Sequence, residues 1–294
     1  MARLLICCGF AAAILCSQNA VAAERGHVSL SYQQFKTDGF ESTIGELDIG
    51  TTDTQSLSFD LAYHLTERTT LHFGIPLVRR RYEGHVGHFP SNLLEGHDND
   101  HSVDEGSYHT DFQDFLLGLS FLAVDRPVRV EPFLFYGLPS HDYPHFGHAA
   151  VGQNLWRIEL GTRLTYTPPL SDFYFRFDPS YSFMEKVLGV RTNQWRAHAE
   201  VGYRFVDGAS ARMFVSVKDA EGAEFPDDFP PPRNTSRWYH HDRMVKHSFV
   251  NVGMGLDWQF SPRTQLSTSA MTMVTAEQAH VVKYAFNIGV TRFF

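Results

Sequence analysis

The sequence predicts an all-β protein, an antiparallel transmembrane β-barrel of about twelve strands with long extracellular loops and short periplasmic turns; ten or fourteen strands remain open. Three observations predict it. Apolar and polar residues alternate over unusually long stretches, which puts one type on each face of a strand. Aromatic residues sit at both ends of the apolar faces, as girdles do at the two interfaces of a membrane barrel. Tight turns interleave with long polar connections, the asymmetry of a barrel with a short-turn side and a long-loop side.

Residues 1–23, MARLLICCGFAAAILCSQNAVAA, carry the three parts of a secretory signal: Arg3, an apolar run from Leu4 to Cys16, and small residues before a cleavage after Ala23. The run is shorter than the roughly 20 residues of a bilayer-spanning helix. The expectation is therefore removal on export, with residues 24–294 forming one barrel domain. Cys7, Cys8 and Cys16 all lie in that segment, which leaves no thiol for a disulfide, a nucleophile or a metal ligand in the mature chain. With a formal charge of -8 and no basic run, the chain is a poor candidate for nucleic acid.

The first strand is placed near 27–36. The second, 54–66, sets Leu57, Phe59, Leu61, Tyr63 and Leu65 on one face and Asp60 and His64 on the other. Leu71, Phe73, Ile75 and Leu77 form the apolar face of the third, 68–82. Strands near 110–124 and 127–138 flank the turn Asp125-Arg126-Pro127. In the sixth, 153–167, Trp156, Ile158, Leu160, Leu164 and Tyr166 oppose Arg157, Glu159 and Arg163. The seventh, 172–184, opposes Phe173, Phe175, Phe177, Tyr181 and Phe183 to Arg176 and Asp178; the eighth, 192–206, opposes Trp195, Val201, Tyr203 and Phe205 to Arg196, His198, Glu200 and Arg204. Strands near 209–219, 246–260, 263–275 and 281–294 complete the set, with Trp258 and Phe260 opposite Asp257. A soluble sandwich alternates too. These segments, however, exceed the roughly 5 to 6 residues of a common strand and reach the roughly 9 to 11 that cross a bilayer at a tilt.

The last strand, YAFNIGVTRFF, presents Tyr284, Phe286, Ile288, Val290 and the terminal Phe294 on one face. It is similar to the C-terminal assembly signal of bacterial outer-membrane barrels, with one departure. Arg292 stands third from the end, where an aromatic is usual, so either Phe293 takes over that contact or the strand bulges. An even strand count puts both termini in the periplasm. The expected location is the outer membrane of a Gram-negative bacterium, as a monomer, with outer-membrane lipid, lipopolysaccharide, the barrel assembly machinery and a small solute as partners.

Residues 108–161 run as an Asp-containing start, a strand with Leu-Gly-Leu, a turn, a strand ending in Leu-Pro, a glycine-containing loop, and a strand of Trp-x-x-x-x-Gly. This order resembles the outer-membrane family linked to the meta-pathway of phenol degradation, whose members are described as transporters or channels. Asp114 and Gly118 lie at the start, where Gln113 stands in place of the family's glycine; Pro139, Asp142, Tyr143 and Gly147 match its Pro-x-x-Asp-Tyr loop. The resemblance implies a barrel and passage of small molecules, aromatic ones among them. It brings no catalytic residue with it.

With the aromatic faces toward lipid, Asp60, His64, His72, Arg129, Glu131, Arg157, Glu159, Arg163, Arg176, Asp178, Arg196, His198, Glu200, Arg204, Lys218 and Asp257 turn into the lumen. Two readings of this belt stand. Paired across strands, the charges close the barrel as a salt-bridge plug; around water they form a polar channel whose surplus of arginine favours anions. The leading expectation is a channel for small solutes, aromatic or anionic. The alternative is a non-conducting barrel whose outer loops bind divalent metal or lipopolysaccharide.

Most of the sixteen histidines fall in three of those loops. His85, His88, His97, His101 and His109 share the first with Asp104 and other carboxylates; His141, His145 and His148 occupy the second, and His240 and His241 the third. Imidazole with carboxylate suits zinc, copper or nickel. Hydrated loops also use His, Asp and Gly for turns and solubility, and acidic loops can hold calcium. Beyond such an ion no cofactor is expected. No enzyme is expected either: Gly-x-Ser-x-Gly is absent, and Ser140-His141 and His247-Ser248, adjacent on a strand, would point to opposite faces.

Overall fold

A computed structural model describes residues 25–85, 87–88, 103–231 and 235–294. The predicted signal segment and the loop histidines His97 and His101 lie outside those residues. The strands are β1 (Gly26–Ser42), β2 (Gly45–His64), β3 (Thr69–Glu83), β4 (His109–Phe112), β5 (Asp114–Phe121), β6 (Val128–Pro139) and β7 (Arg157–Tyr166). They continue with β8 (Phe173–Met184), β9 (Gln194–Val206), β10 (Ala209–Ala220), β11 (Ser248–Ser261), β12 (Thr264–Glu277) and β13 (Ala279–Phe293). These strands pair antiparallel throughout, and β13 returns to β1 with His27 opposite Phe293, which closes the wall.

β4 and β5 are two pieces of one span. Both pair with β3, and the break falls at Gln113, whose amide donates to the Pro76 carbonyl across the gap. Pro76 has no N–H to return, so the ladder is interrupted there. Counting them together, the protein is a closed twelve-strand barrel.

Alternation sorts the two faces as the sequence predicts. Trp195 is 61% exposed and Trp258 56%, while Arg157 is 3% and Arg176 7% exposed. Apolar rings outside and charges inside invert a soluble protein and fit a wall whose outer solvent is lipid. Such a barrel belongs in the outer membrane of a Gram-negative cell.

Inside, rings lie flat on the neighbouring strand where it carries glycine. Phe135 faces Gly118 and Tyr174 faces Gly202 in register. A Cβ at either glycine would come within 2.0 Å of the ring, so these close approaches require glycine.

Four expectations need correction. The first hairpin is longer than the placed strands 27–36 and 54–66: β1 and β2 run, through an irregularity between Asp38 and Phe40, to a tight turn at Thr43-Ile44, so that residues 46–54 do extend the second strand, the alternative the sequence left open. β7 begins at Arg157, not near 153. At the C-terminus Phe293 does not take the outward place; its ring turns inward against His27, 5.6 Å between centroids. No bulge occurs there either, and Arg292 stays on the outer face with its guanidinium donating to Thr264 Oγ1 at 2.7 Å.

The fourth concerns residues 140–156, which are not a hydrated loop. Tyr143, Phe146, Ala149, Val151 and Leu155 are all buried, folded back into the barrel mouth. Arg80 donates to the Ala150 carbonyl (3.1 Å) and the Gln113 side chain to Val151 (2.8 Å), so the wall satisfies the infolded backbone. Leu155 of this segment packs with Phe40 from β1, Met184, Val187 and Met244 into an apolar cluster. Two one-turn helices, α1 (Ser236–Tyr239) and α2 (His241–Met244), lie in the connection from β10 to β11 and contribute to this cap.

Candidate functional site

Two groups of ionisable side chains stand out, one across the lumen and one in the mouth. In the lumen, β7, β8, β9, β10 and β11 each bring alternate charged residues to the inner face. Arg176 binds Asp178 through Nε (2.9 Å), and Arg163 reaches the same carboxylate at 3.6 Å. Arg196 lies 3.6 Å from Glu159, which also accepts from Ser180 (2.7 Å). Arg212 bridges Glu200 (3.4 Å) and Asp257, and His198 sits 3.5 Å from Glu200. Arg129 pairs with Glu131 at 2.9 Å near the periplasmic turn.

Of the other expected lumen residues, Asp60, His72 and Arg157 are buried inside the wall, and His72 bonds Ser120 at 2.9 Å. Arg204 lies over the Tyr174 ring, 5.5 Å from its centroid. His64 is exposed at the periplasmic rim, bonded to Thr70 (2.9 Å). Sequence reasoning missed Arg212, although alternation from Lys218 through Ser216 and Phe214 puts it on the inner face.

Pairing does not fill the lumen. A cavity of about 100 Å³ remains, lined by Arg163, Arg176, Arg196 and Lys218, by the carboxylates Glu159 and Asp178, and by Phe133, Phe135 and Phe249, the last of which lies under the Lys218 ammonium.

In the mouth the three histidine-bearing loops do not form one site. His85 is exposed. His109 pairs with Glu105 (2.8 Å), His141 with Asp111 (3.2 Å), and His145 stacks on His240 with centroids 5.4 Å apart. His88 and His148 do come together, joined by Asp104, His241 and Asp242. His88 Nδ1 donates to Asp104 (2.9 Å), and His241 Nδ1 donates to the Trp238 carbonyl (2.7 Å). Their Nε2 atoms then face each other at 3.2 Å, with Asp242 Oδ1 3.3 Å from His241 Nε2.

Burial, reinforced by the neighbouring His88, pushes the His148 imidazole down to about 3. Burial opposes ionisation of Asp104, yet the hydrogen bond from His88 and the nearby His148 hold its carboxyl down at about 2. Asp242 is likewise held well below the usual carboxylate range: burial works against ionisation, and His241, His88 and His148 overcome it. A cavity of about 240 Å³ adjoins the group, walled by Phe40, Phe225 and Trp238. Asp242 was missed because its partners come from other loops; the run His240-His241-Asp242 beside Trp238-Tyr239 was the available signal.

Ser140 and His141 also depart from expectation. They lie just past the end of β6, so the strand rule does not apply, and Ser140 Oγ is 2.9 Å from His141 Nδ1. Ser140 donates its proton to the Phe112 carbonyl (2.8 Å). That carbonyl competes with His141 Nδ1 for the single proton of the Ser140 hydroxyl.

No family model matches the chain, and no curated protein matches it. Among solved structures, the chain is similar to the COG4313 outer membrane channel from Pseudomonas putida F1, with TM-score 0.69, 15% identity, and 94% of this chain and 97% of that one covered. It is also similar to the translocator domain of the autotransporter NalP from Neisseria meningitidis, with TM-score 0.54, 12% identity, and 92% and 89% of the two chains covered. At these identities the likeness speaks for the architecture. The chain has the fold of an outer-membrane β-barrel.

Proposed function

We propose that the protein is an outer-membrane channel for small solutes, with a preference for compact anions that carry an aromatic or apolar part. The observation that supports this reading best is the mid-barrel cavity, where four cationic side chains outnumber the two carboxylates Glu159 and Asp178 and phenylalanine rings share the lining. Guanidinium and ammonium groups replace the water around a carboxylate, and the rings cover the apolar remainder. The ion pairs Arg176–Asp178 and Arg196–Glu159 in its lining narrow the passage, so selectivity comes with a small conductance. The fold shared with the Pseudomonas putida channel and the resemblance of residues 108–161 to the phenol-pathway family support the same reading. Association with lipopolysaccharide, and assembly through the terminal Phe294, belong to this proposal as well.

Single-channel recording of the full barrel in planar bilayers tests it. A small, anion-selective conductance is expected, with benzoate permeant and Lys218→Gln shifting the reversal potential toward zero selectivity. A correctly folded barrel that passes no current leaves the salt-bridge plug as the reading. A cation-selective current removes the anion preference and keeps the channel.

A further inference from the structure

We propose that the barrel mouth carries a binding site for a divalent transition metal of the zinc class, with His88, His241 and Asp242 as its ligands. The inference does not depend on conduction. It rests on how the two imidazoles are oriented. His88 spends its Nδ1 proton on Asp104 and His241 spends its own on the Trp238 carbonyl. In its neutral form each ring then turns the lone pair of Nε2 into the gap between them.

Two lone pairs 3.2 Å apart repel unless a cation lies between them. Only a proton or a metal ion satisfies that arrangement. A tetrahedral ion with Zn–N bonds of roughly 2.0–2.1 Å sets its ligand atoms roughly 3.3 Å from one another. The observed separations are 3.2 Å between the imidazole nitrogens and 3.3 Å from His241 Nε2 to Asp242 Oδ1.

The surrounding groups behave as an outer shell. Asp104 takes the amide of His88 (2.9 Å) as well as its ring N–H, which fixes both the tautomer and the position of that side chain. Trp238 stacks on His241, centroids 4.0 Å apart and planes within 6°. The second oxygen of Asp242 accepts from the Gly147 amide (3.4 Å). Ligands thus come from two connections, β3 to β4 and β10 to β11, and the infolded loop before β7 supports them. The adjoining cavity of about 240 Å³ has room for a water as fourth ligand. Two nitrogens and one oxygen suit zinc, copper or nickel and discriminate against magnesium and calcium, which take all-oxygen shells.

Calorimetry with zinc chloride on the full barrel in detergent is the test, with magnesium and calcium as comparison ions. A single zinc site per chain is expected. His241→Ala and the isosteric Asp242→Asn should each weaken it at least roughly 10- to 100-fold, the range seen even for outer-shell partners, and Asp104→Asn should fall within that range. His109→Ala combined with His141→Ala should leave it unchanged. If His241→Ala does not fold, as read by circular dichroism, Asp242→Asn decides. Failure to take up zinc overturns the proposal. So does zinc uptake that survives Asp242→Asn or is lost equally in the His109/His141 variant, since the ion would then be held by exposed loop histidines.

Discussion

The lumen and the mouth bury comparable numbers of acids and bases, yet they hold them differently. In the lumen Asp178, Glu159, Glu200 and Asp257 are paired with guanidiniums: Arg176 and Arg163 for Asp178, Arg196 for Glu159, Arg212 for Glu200 and Asp257. In the mouth Asp104 and Asp242 face imidazoles, His88 for the first and His241 for the second. A guanidinium keeps its proton at any physiological pH and presents a fixed charge; an imidazole gives its proton up and offers a lone pair instead. The first region can filter by charge without changing state. The second can exchange a proton for an ion.

Removing one member of a buried pair is the largest way to break that contrast. Arg176→Ala leaves Asp178 with only the longer contact to Arg163, and we expect a loss of about 3–5 kcal/mol in denaturant unfolding of the refolded barrel. Replacing both partners, Arg176→Met with Asp178→Leu, should recover most of that loss, because no buried charge remains unmatched. If the single variant is neutral, the lumen is wet enough to screen its charges and the contrast with the mouth disappears. A smaller effect separates charge from shape in the same region. Gly202→Val drives a side chain into the Tyr174 ring, for which about 1–3 kcal/mol is expected, relieved when Tyr174→Ala is added. A double-mutant cycle in the same unfolding assay checks the coupling.

The same contrast explains what could be read in the sequence. Wall residues obey a period of two over spans long enough that Phe175 and Arg176, or Trp195 and Arg196, had to fall on opposite faces, one in lipid and one inside. The lumen belt was legible for that reason, down to Asp257 near the end of β11. The mouth has no such constraint. Above the membrane β1 and β2 continue with Thr37, Thr52 and Thr54 buried, where a lipid-facing pattern no longer applies, so the sequence leaves the extension open. Residues 140–156 carry the Pro, Gly and His of a hydrated turn and nevertheless fold inward, because Arg80 and Gln113 satisfy their carbonyls. His88, His241 and Asp242 meet only once those loops have packed. The candidate histidines were visible, but their grouping was not.

The smallest expected effect concerns the surface of the mouth, where ion pairs resemble those of the lumen only on paper. Lys246 lies 2.5 Å from Glu224 and 2.6 Å from Glu277, bridging the start of the β10–β11 connection to the end of β12. Glu277 is largely solvent-exposed and Glu224 partly so, and Lys246→Ala should cost at most about 1 kcal/mol, and less at high salt. The sign with pH follows from the lysine. Its hydrogen bonds to Glu224 and Glu277 raise its pKa in the folded protein, so the stabilisation is fully present below the unfolded value of roughly 10.4 and fades as pH rises through the raised one. Melting temperatures of the two proteins should therefore differ near neutrality and converge in strong alkali. A gap that persists in alkali, or that ignores salt, would show that Lys246 acts through the packing of its methylene chain and not through its charge.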